Sequence, residues 1–155
     1  MLDMLWQKIS TIRRLGPGFC LVLFSAWVCL AFCSLIIFVA PFRYVSKLLG
    51  IHDGLAPRVP VCSLQQESRA RTIGSAIRLA ARYSLWRSDC FPQALAARFF
   101  LGWNRVPYAI FMGVRRCSQQ DELQAHAWVV SGRVRVTGGA GFSTYTSVGC
   151  FVSRN

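Results

Sequence analysis

Acidic side chains are scarce in this sequence. Asp and Glu together number 6, against 18 Lys and Arg, so the 155-residue chain has a formal net charge of +12. A hydrophobic content of 54% excludes a disordered polyelectrolyte, because such chains lack the apolar residues needed for a core. The combination of high charge and high hydrophobicity is also unusual for a simple soluble globule. The length leaves room for one ordinary domain, or for a small domain with an appendage.

Groupings of residues that bind metals are missing as well. The two His residues, His52 and His126, are far apart, and no CxxC pair or Cys/His group has the spacing of a zinc site. The seven Cys are an odd set, so they cannot all pair within the chain. The sequence therefore predicts no metal site, and it predicts that most Cys are small core residues in a reducing compartment.

One stretch, residues 19–40, has no charged residue. As a helix it would be about 33 Å long, roughly the thickness of a bilayer core. It is too long for the apolar core of a cleaved signal peptide. A transmembrane helix, a helix in the membrane surface and a helix packed within the protein all stay open. Because Ser25, Ser34 and three Cys interrupt the run, we favour a packed helix with membrane contact on its outer face.

The composition divides the chain into two parts, an apolar N-terminal helical segment with a linker (1–63) and a compact domain (64–155). Within 1–63, PFRYVSKLLG predicts a short second helix, and the turn and breaker residues of 51–63 mark the linker. In 64–155 the hydrophobic period changes from helical to alternating, which predicts an α+β domain with an antiparallel meander. The predicted helices are Leu64–Tyr83 and Cys90 to Gly102, and the predicted strands are Val106–Val114, Ala125–Val130, Arg133–Thr137 and Tyr145–Val152.

Cys90 and His126 are the residues best placed for chemistry. Cys90 follows a turn and opens a predicted helix, whose free backbone N–H groups and positive dipole end stabilise a thiolate and an oxyanion. His126 lies on a predicted strand, and Asp89 is a candidate cap for the Cys90 helix. A thiol on a helix and a base on a strand is the arrangement of papain-like and transglutaminase-like enzymes.

A third catalytic residue is not evident. After His126 the chain has no carboxylate, and its next Asn is Asn155. Asp121 and Glu122 precede His126 and are either solvated loop charges or partners that reach back to the imidazole. A Cys–His dyad, with a backbone group or water on the imidazole, is the remaining option.

Three blocks of the sequence resemble the lasso-peptide maturation proteases, transglutaminase-like cysteine peptidases that remove the leader of a ribosomal precursor peptide. They are RARTIGSAIRLAARYSLWRSDC, CFPQALAARFFLGWNRVPYAIFMGV and AHAWVVSGRVRVTGGAGFSTYTSVGCF. The resemblance covers roughly residues 19–152. It implies a papain/transglutaminase-like fold in which Cys90 is the nucleophile and His126 the base. Some members carry an Asp after the His strand, where this chain has no acid around Thr137 to Gly139.

The resemblance also implies partners. The first 63 residues are too apolar and too rich in turns to be a fused leader-binding domain, so a separate leader-binding protein and an ATP-dependent macrolactam cyclase are expected. No cofactor or metal is expected. The protein is expected in the cytoplasm, where the precursor is made, with inner-membrane contact through 19–40 left open. We further predict that Trp86, Trp128, Gly138 and Gly139 shape the site without reacting.

Two other functions compete with this interpretation. The apolar run and its basic flanks are also typical of a membrane-associated basic scaffold protein without catalysis. The Arg-rich helix at 69–82 suggests nucleic-acid binding, but no stacking platform or known motif accompanies it, and no nucleic-acid partner is predicted.

Overall fold

The computed structural model describes residues 16–54, 59–116, 123–139 and 141–153. Within these ranges the chain forms four helices, five strands and one short 3-10 turn, and the predicted α+β class is confirmed. The elements in chain order are α1 (Gly16–Val39), α2 (Phe42–Leu49), β1 (Ile51–His52), α3 (Leu64–Arg82), α4 (Cys90–Trp103), β2 (Ala109–Arg116), β3 (Leu123–Ser131), β4 (Val134–Thr137), the 3-10 turn (Gly141–Thr144) and β5 (Thr146–Val152).

The helix boundaries follow from local residue chemistry. Helix α1 ends ahead of Pro41, which occupies the N-cap of α2. Helix α3 begins with a capping box, in which the Ser63 hydroxyl accepts from the Gln66 N–H and the Gln66 side chain accepts from the Ser63 N–H. Helix α4 begins at Cys90 as predicted and extends one residue past Gly102, because the Asn104 amide caps the Phe100 carbonyl at 2.8 Å.

The five strands form one antiparallel sheet in the order β1-β5-β2-β3-β4. The predicted hairpin at Ser131-Gly132 joins β3 to β4, and Gly132 has a positive φ of 55°. The prediction of a simple meander is wrong for the last strand, because β5 returns to pair with the free side of β2. Strand β2 is buried at Ala109, Ile110 and Phe111, so a second neighbour satisfies backbone groups that an edge would leave unpaired.

Part of the predicted linker 51–63 is a strand. Ile51 pairs with Val152 and His52 with Phe151, which makes β1 the edge strand beside β5. Its two residues are exposed, so the side-chain pattern gave no sign of a strand.

The apolar core crosses the boundary predicted between residues 63 and 64. Helices α3 and α4 pack on the sheet, and α1 packs on α3 and α4 as a third layer. Ala26, Leu30 and Cys33 of α1 and Val45 and Leu49 of α2 are buried in the same cluster as the core of α3, α4 and the sheet. Whether 64–155 is an independent domain therefore stays a prediction.

Helix α1 is long and apolar enough to cross a membrane by length and composition, with a mean hydropathy of 2.6 over its best window. One side is buried against α3 and α4. The opposite side, here called the outer face of α1, exposes large apolar side chains at helical spacing: Leu21, Phe24, Phe32, Leu35, Phe38 and Val39.

Candidate active site

Cys90 is the first residue of α4, and its side chain is half-buried. The loop before it is fixed by polar contacts. The Ser84 hydroxyl lies 2.8 Å from both the Ala81 carbonyl and the Ser88 hydroxyl, and the Gln93 side chain donates to the Ser88 carbonyl at 2.7 Å. These bonds connect the end of α3 and the first turn of α4, so the position of the thiol is set by both helices.

Helix α1 supports the same loop from outside. The Ser34 hydroxyl donates to the Arg87 carbonyl at 3.3 Å, and the Trp27 ring meets the Trp86 ring edge-on with centroids 4.7 Å apart. The apolar N-terminal helix thereby contacts the segment that presents Cys90.

The start of α4 offers backbone donors beside the thiol. Pro92 has no N–H, and the Gln93 N–H bonds to the Asp89 carbonyl at 3.3 Å. Among the described residues no hydrogen-bond partner is found for the N–H groups of Cys90 and Phe91, so both are candidate donors to an oxyanion. Asp89 occupies the N-cap position, but the expected side-chain cap is absent, and its carboxylate pairs with Arg87 at 3.3 Å.

His126 lies on β3, opposite Gly113 of β2. Its imidazole is near two aromatic rings, with the Tyr145 centroid at 4.9 Å and the Trp128 centroid at 6.0 Å. Its Nε2 lies 2.8 Å from the Gly138 carbonyl oxygen. Because a carbonyl can only accept, this bond assigns the proton of the neutral ring to Nε2 and leaves Nδ1 with the lone pair that a base needs.

The Gly138 carbonyl thus occupies the position where other arrangements of this type use a carboxylate or an amide. Gly138 has a φ of 95°, and a Cβ built on it would lie 2.2 Å from the Cβ of Trp128. Any side chain would push the turn away from β3, and the carbonyl would move with it. Although no acid lies around Thr137 to Gly139, His126 has a partner there, the backbone carbonyl of Gly138.

Cys90 and His126 line one open cleft of about 440 Å³. Gly138 and Gly139 form part of its wall, as do Ser88 and Gln93. Two arginines of α3 also line it. Arg78 is tied to the Val136 carbonyl and the Ser75 hydroxyl, whereas Arg82 is exposed at the rim. We call this the Cys90 cleft.

The two Trp residues predicted to shape the site have different surroundings. Trp128 stacks on Phe111 with centroids 5.5 Å apart, contacts Phe142, and forms the surface on which Gly138 sits. Trp86 packs on Trp27 and is not among the residues that line the Cys90 cleft. Asp121 and Glu122, considered as partners for His126, fall outside the described residues.

Tyr145 was not singled out from the sequence. It follows the 3-10 turn, and its hydroxyl lies 3.4 Å from the Gln124 side-chain oxygen. Arg115 donates to the same oxygen and places its guanidinium 4.8 Å from the Tyr145 ring centroid. These contacts hold the ring against His126. No sequence pattern marks this role, because it depends on β5 returning beside β2.

No group of three or more His, Cys, Asp or Glu that could hold a metal ion occurs among the described residues. Two thiols outside the cleft, Cys29 and Cys33, lie 3.9 Å apart on α1. The hydrogen bond between them lowers the pKa of Cys29 and, together with burial, raises the pKa of Cys33.

Comparison with protein families gives a match. A sequence model described as the transglutaminase-like superfamily matches residues 36–149, which is most of the chain and includes Cys90, His126 and Gly138. No curated protein and no solved structure matches the chain significantly.

Proposed function

The chain belongs to the transglutaminase-like superfamily, and we propose that it is a cysteine peptidase that removes the leader from a ribosomally made precursor during lasso-peptide maturation. One observation carries the enzymatic part of the proposal. A half-buried Cys at a helix start and a His with an assigned Nε2 proton line the same cleft. Nucleophile and base come from different elements, and the base has a third group that orients it, which is the arrangement of an activated thiol.

The reaction uses groups already present in the Cys90 cleft. Nδ1 of His126 takes the proton of the Cys90 thiol, and the sulfur attacks the carbonyl carbon of the scissile peptide bond. The N–H groups of Cys90 and Phe91 bind the oxyanion as the carbonyl bond opens. The imidazolium then gives its proton to the leaving amine, the C–N bond breaks, and a thioester remains. Water attacks the thioester while His126 takes its proton, and the acid product and the free thiol are released.

The Gly138 carbonyl stabilises the imidazolium that forms in both steps. Its partial negative charge lies 2.8 Å from Nε2, so it compensates part of the positive charge without itself becoming protonated. A carbonyl carries less charge than a carboxylate, so its main contribution is to fix the ring orientation and tautomer. Trp128 and Tyr145 limit rotation of the same ring.

The choice of a leader peptide as substrate is supported by the resemblance of the three sequence blocks. It brings the expected partners: the precursor, a separate leader-binding protein and an ATP-dependent macrolactam cyclase. A net charge of +12 supports association with acidic partners. The reaction written above needs neither a metal nor a cofactor.

We place the protein in the cytoplasm, in contact with the inner membrane. The outer face of α1 is a continuous apolar surface, and the exposed Arg43 of α2 follows it directly. Such a pairing suits a helix that lies on an anionic bilayer, with apolar side chains in the lipid and cations at the headgroups. The buried face of α1 meanwhile packs on the protein, which favours surface contact over a full span.

The same surface supports the competing function, a basic membrane-associated scaffold without catalysis. Reconstitution separates the two. The precursor, the leader-binding protein and the full chain are mixed, and leader release is followed by mass spectrometry. Wild type and Cys62→Ala should release the leader and Cys90→Ala should not. Cys62 is a suitable control, because it is also half-buried but contacts Pro107 and Ser131 away from the cleft. Release by Cys90→Ala, or by none of the three, favours the scaffold.

A further inference from the structure

A second cleft, of about 680 Å³, lies where the end of α4 meets the start of β2 and the end of β5. Three cations line it, Lys47, Arg98 and Arg105, together with Tyr108 and Ser153. We call it the basic cleft. Its volume is in the range of ligand sites, and none of the described residues that line it is acidic.

The described acidic residues do not neutralise these cations. Glu67 pairs with Arg71 at 3.1 Å and accepts from the Arg133 backbone, and Asp89 pairs with Arg87. Asp53, the remaining acid in the described ranges, is not part of the lining. The three like charges therefore repel one another, and an anion from outside would relieve that repulsion.

Arg98 is the half-buried member of these three cations, whereas Lys47 and Arg105 are exposed. Its Nε is buried and has no hydrogen-bond partner among the described residues. A buried N–H of a charged group is destabilising when unpaired, and buried polar atoms in folded proteins normally have a partner. An incoming acceptor cannot reach an Nε that has no exposed surface, so Arg98 contributes to the cleft through the charge of a guanidinium that lines it and lies 5.0 Å from the Phe99 ring centroid.

Arg105 adds a backbone argument. It has a φ of 52°, with its N–H on the Gly102 carbonyl at 3.1 Å and its carbonyl bound by the Gln66 side chain at 3.3 Å. After a helix this left-handed position is usually Gly or Asn, because other L-residues are strained there. The backbone at this position would favour Gly, so the presence of Arg indicates a role for its side chain at the rim of the cleft.

We infer that the basic cleft binds the carboxylates of an acidic segment of the peptide substrate, at a distance from the scissile bond; this rests on the proposed peptidase function. Guanidinium groups bind carboxylates in a bidentate manner. Val106, Pro107 and Tyr108 add an apolar wall, which fits peptide side chains better than a free phosphate ion. Arg98 follows Cys90 on the same helix by about 12 Å along its axis, a distance that roughly four extended residues span.

The test uses the full chain with a fluorescein-labelled poly-glutamate peptide, and anisotropy measures its dissociation constant. The variant Arg98→Gln/Arg105→Gly should bind about tenfold more weakly or worse, because two charge-assisted contacts are lost. Arg69→Gln/Arg133→Gln removes the same charge from exposed positions outside the cleft and should bind like wild type. Equal weakening in both pairs would show general charge attraction and overturn the site, as would no weakening in either.

Arg105→Gly alone separates binding from folding. Because Gly adopts a positive φ without strain, the melting temperature should be unchanged or higher. The peptide should nevertheless bind more weakly, because the guanidinium is lost. A lower melting temperature with unchanged binding would make Arg105 structural and overturn its role. Inorganic phosphate serves as competitor, and displacement of the peptide at equal concentration would assign the cleft to phosphate instead. Since anisotropy reads binding without cleavage, an inactive Cys90 cleft would refute the proposed function without altering this result.

Discussion

Replacing Gly138 by Ala tests whether its carbonyl orients His126, the proposed base. Gly138 and Gly139 both have positive φ, 95° and 65°. They differ in their surroundings, because a Cβ at 138 would lie 2.2 Å from the Cβ of Trp128, whereas a Cβ at 139 meets nothing within 4 Å. Gly139→Ala is thus a matched control that adds the same methyl group and backbone strain without the collision.

The expected magnitudes follow from these distances. Either substitution destabilises the fold by about 1–2 kcal/mol through the left-handed backbone. Gly138→Ala must also move the turn by about 1.3 Å or more to restore an ordinary carbon–carbon contact. A shift of that size takes the 2.8 Å bond from Nε2 to the Gly138 carbonyl out of hydrogen-bond range. Misplacement of a catalytic group by about 1 Å lowers the rate by about 100-fold.

For both variants kcat and KM of leader cleavage are measured at a temperature where both proteins are folded. Their melting temperatures are recorded in parallel. Gly138→Ala should lose about 100-fold in kcat, and Gly139→Ala less than about threefold. Equal activity of the two folded variants would show that the Gly138 carbonyl has no part in orienting His126. Cys90 and His126 would then form a dyad without an orienting third group.

Three further predictions concern other contacts. Tyr145→Leu should lower kcat about tenfold by removing one ring beside His126, with KM nearly unchanged, and an unchanged kcat would refute this positioning role. Leu30→Ala should lower the free energy of unfolding, measured by denaturant titration, by about 2–5 kcal/mol. Leu35→Ala, on the outer face of α1, should change the free energy of unfolding by less than about 0.5 kcal/mol, and similar values for the two variants would contradict the packing of α1. Deletion of residues 1–42 should give an insoluble or inactive chain, and a soluble, fully active remainder would show that α1 is only an anchor.

Much of the fold could be predicted because local patterns decide it. Pro92 suits the first turn of a helix, so the start of α4 at Cys90 followed from the sequence, and the alternation in β3 identified its strand. The place of β5 could not be predicted in this way. The alternation within a strand shows which face is buried and does not show which strand it pairs with. β5 pairs with both β1 and β2, through backbone hydrogen bonds that any residue can make.

The candidate site was predictable to a similar extent. The residue types of Cys90 and His126 carry chemical information, and the helix start explains why the thiol is suited to acyl chemistry. The partner of His126 is a backbone carbonyl, which leaves no residue-type signature, and the Gly-Gly turn indicated only an unusual backbone. The contact of Tyr145 with His126 depends on tertiary pairing of distant strands, so sequence periodicity could not reveal it.

The central claim is that Cys90 and His126 act together as nucleophile and base, and the most direct measurement is kcat/KM for leader cleavage by Cys90→Ala, His126→Ala and the double variant. Residues that act as one unit give non-additive effects. The kcat/KM of each single variant should therefore be several orders of magnitude below wild type, at the same residual level. The kcat/KM of the double variant should be no lower. A folded His126→Ala protein that cleaves at the wild-type rate would contradict the account.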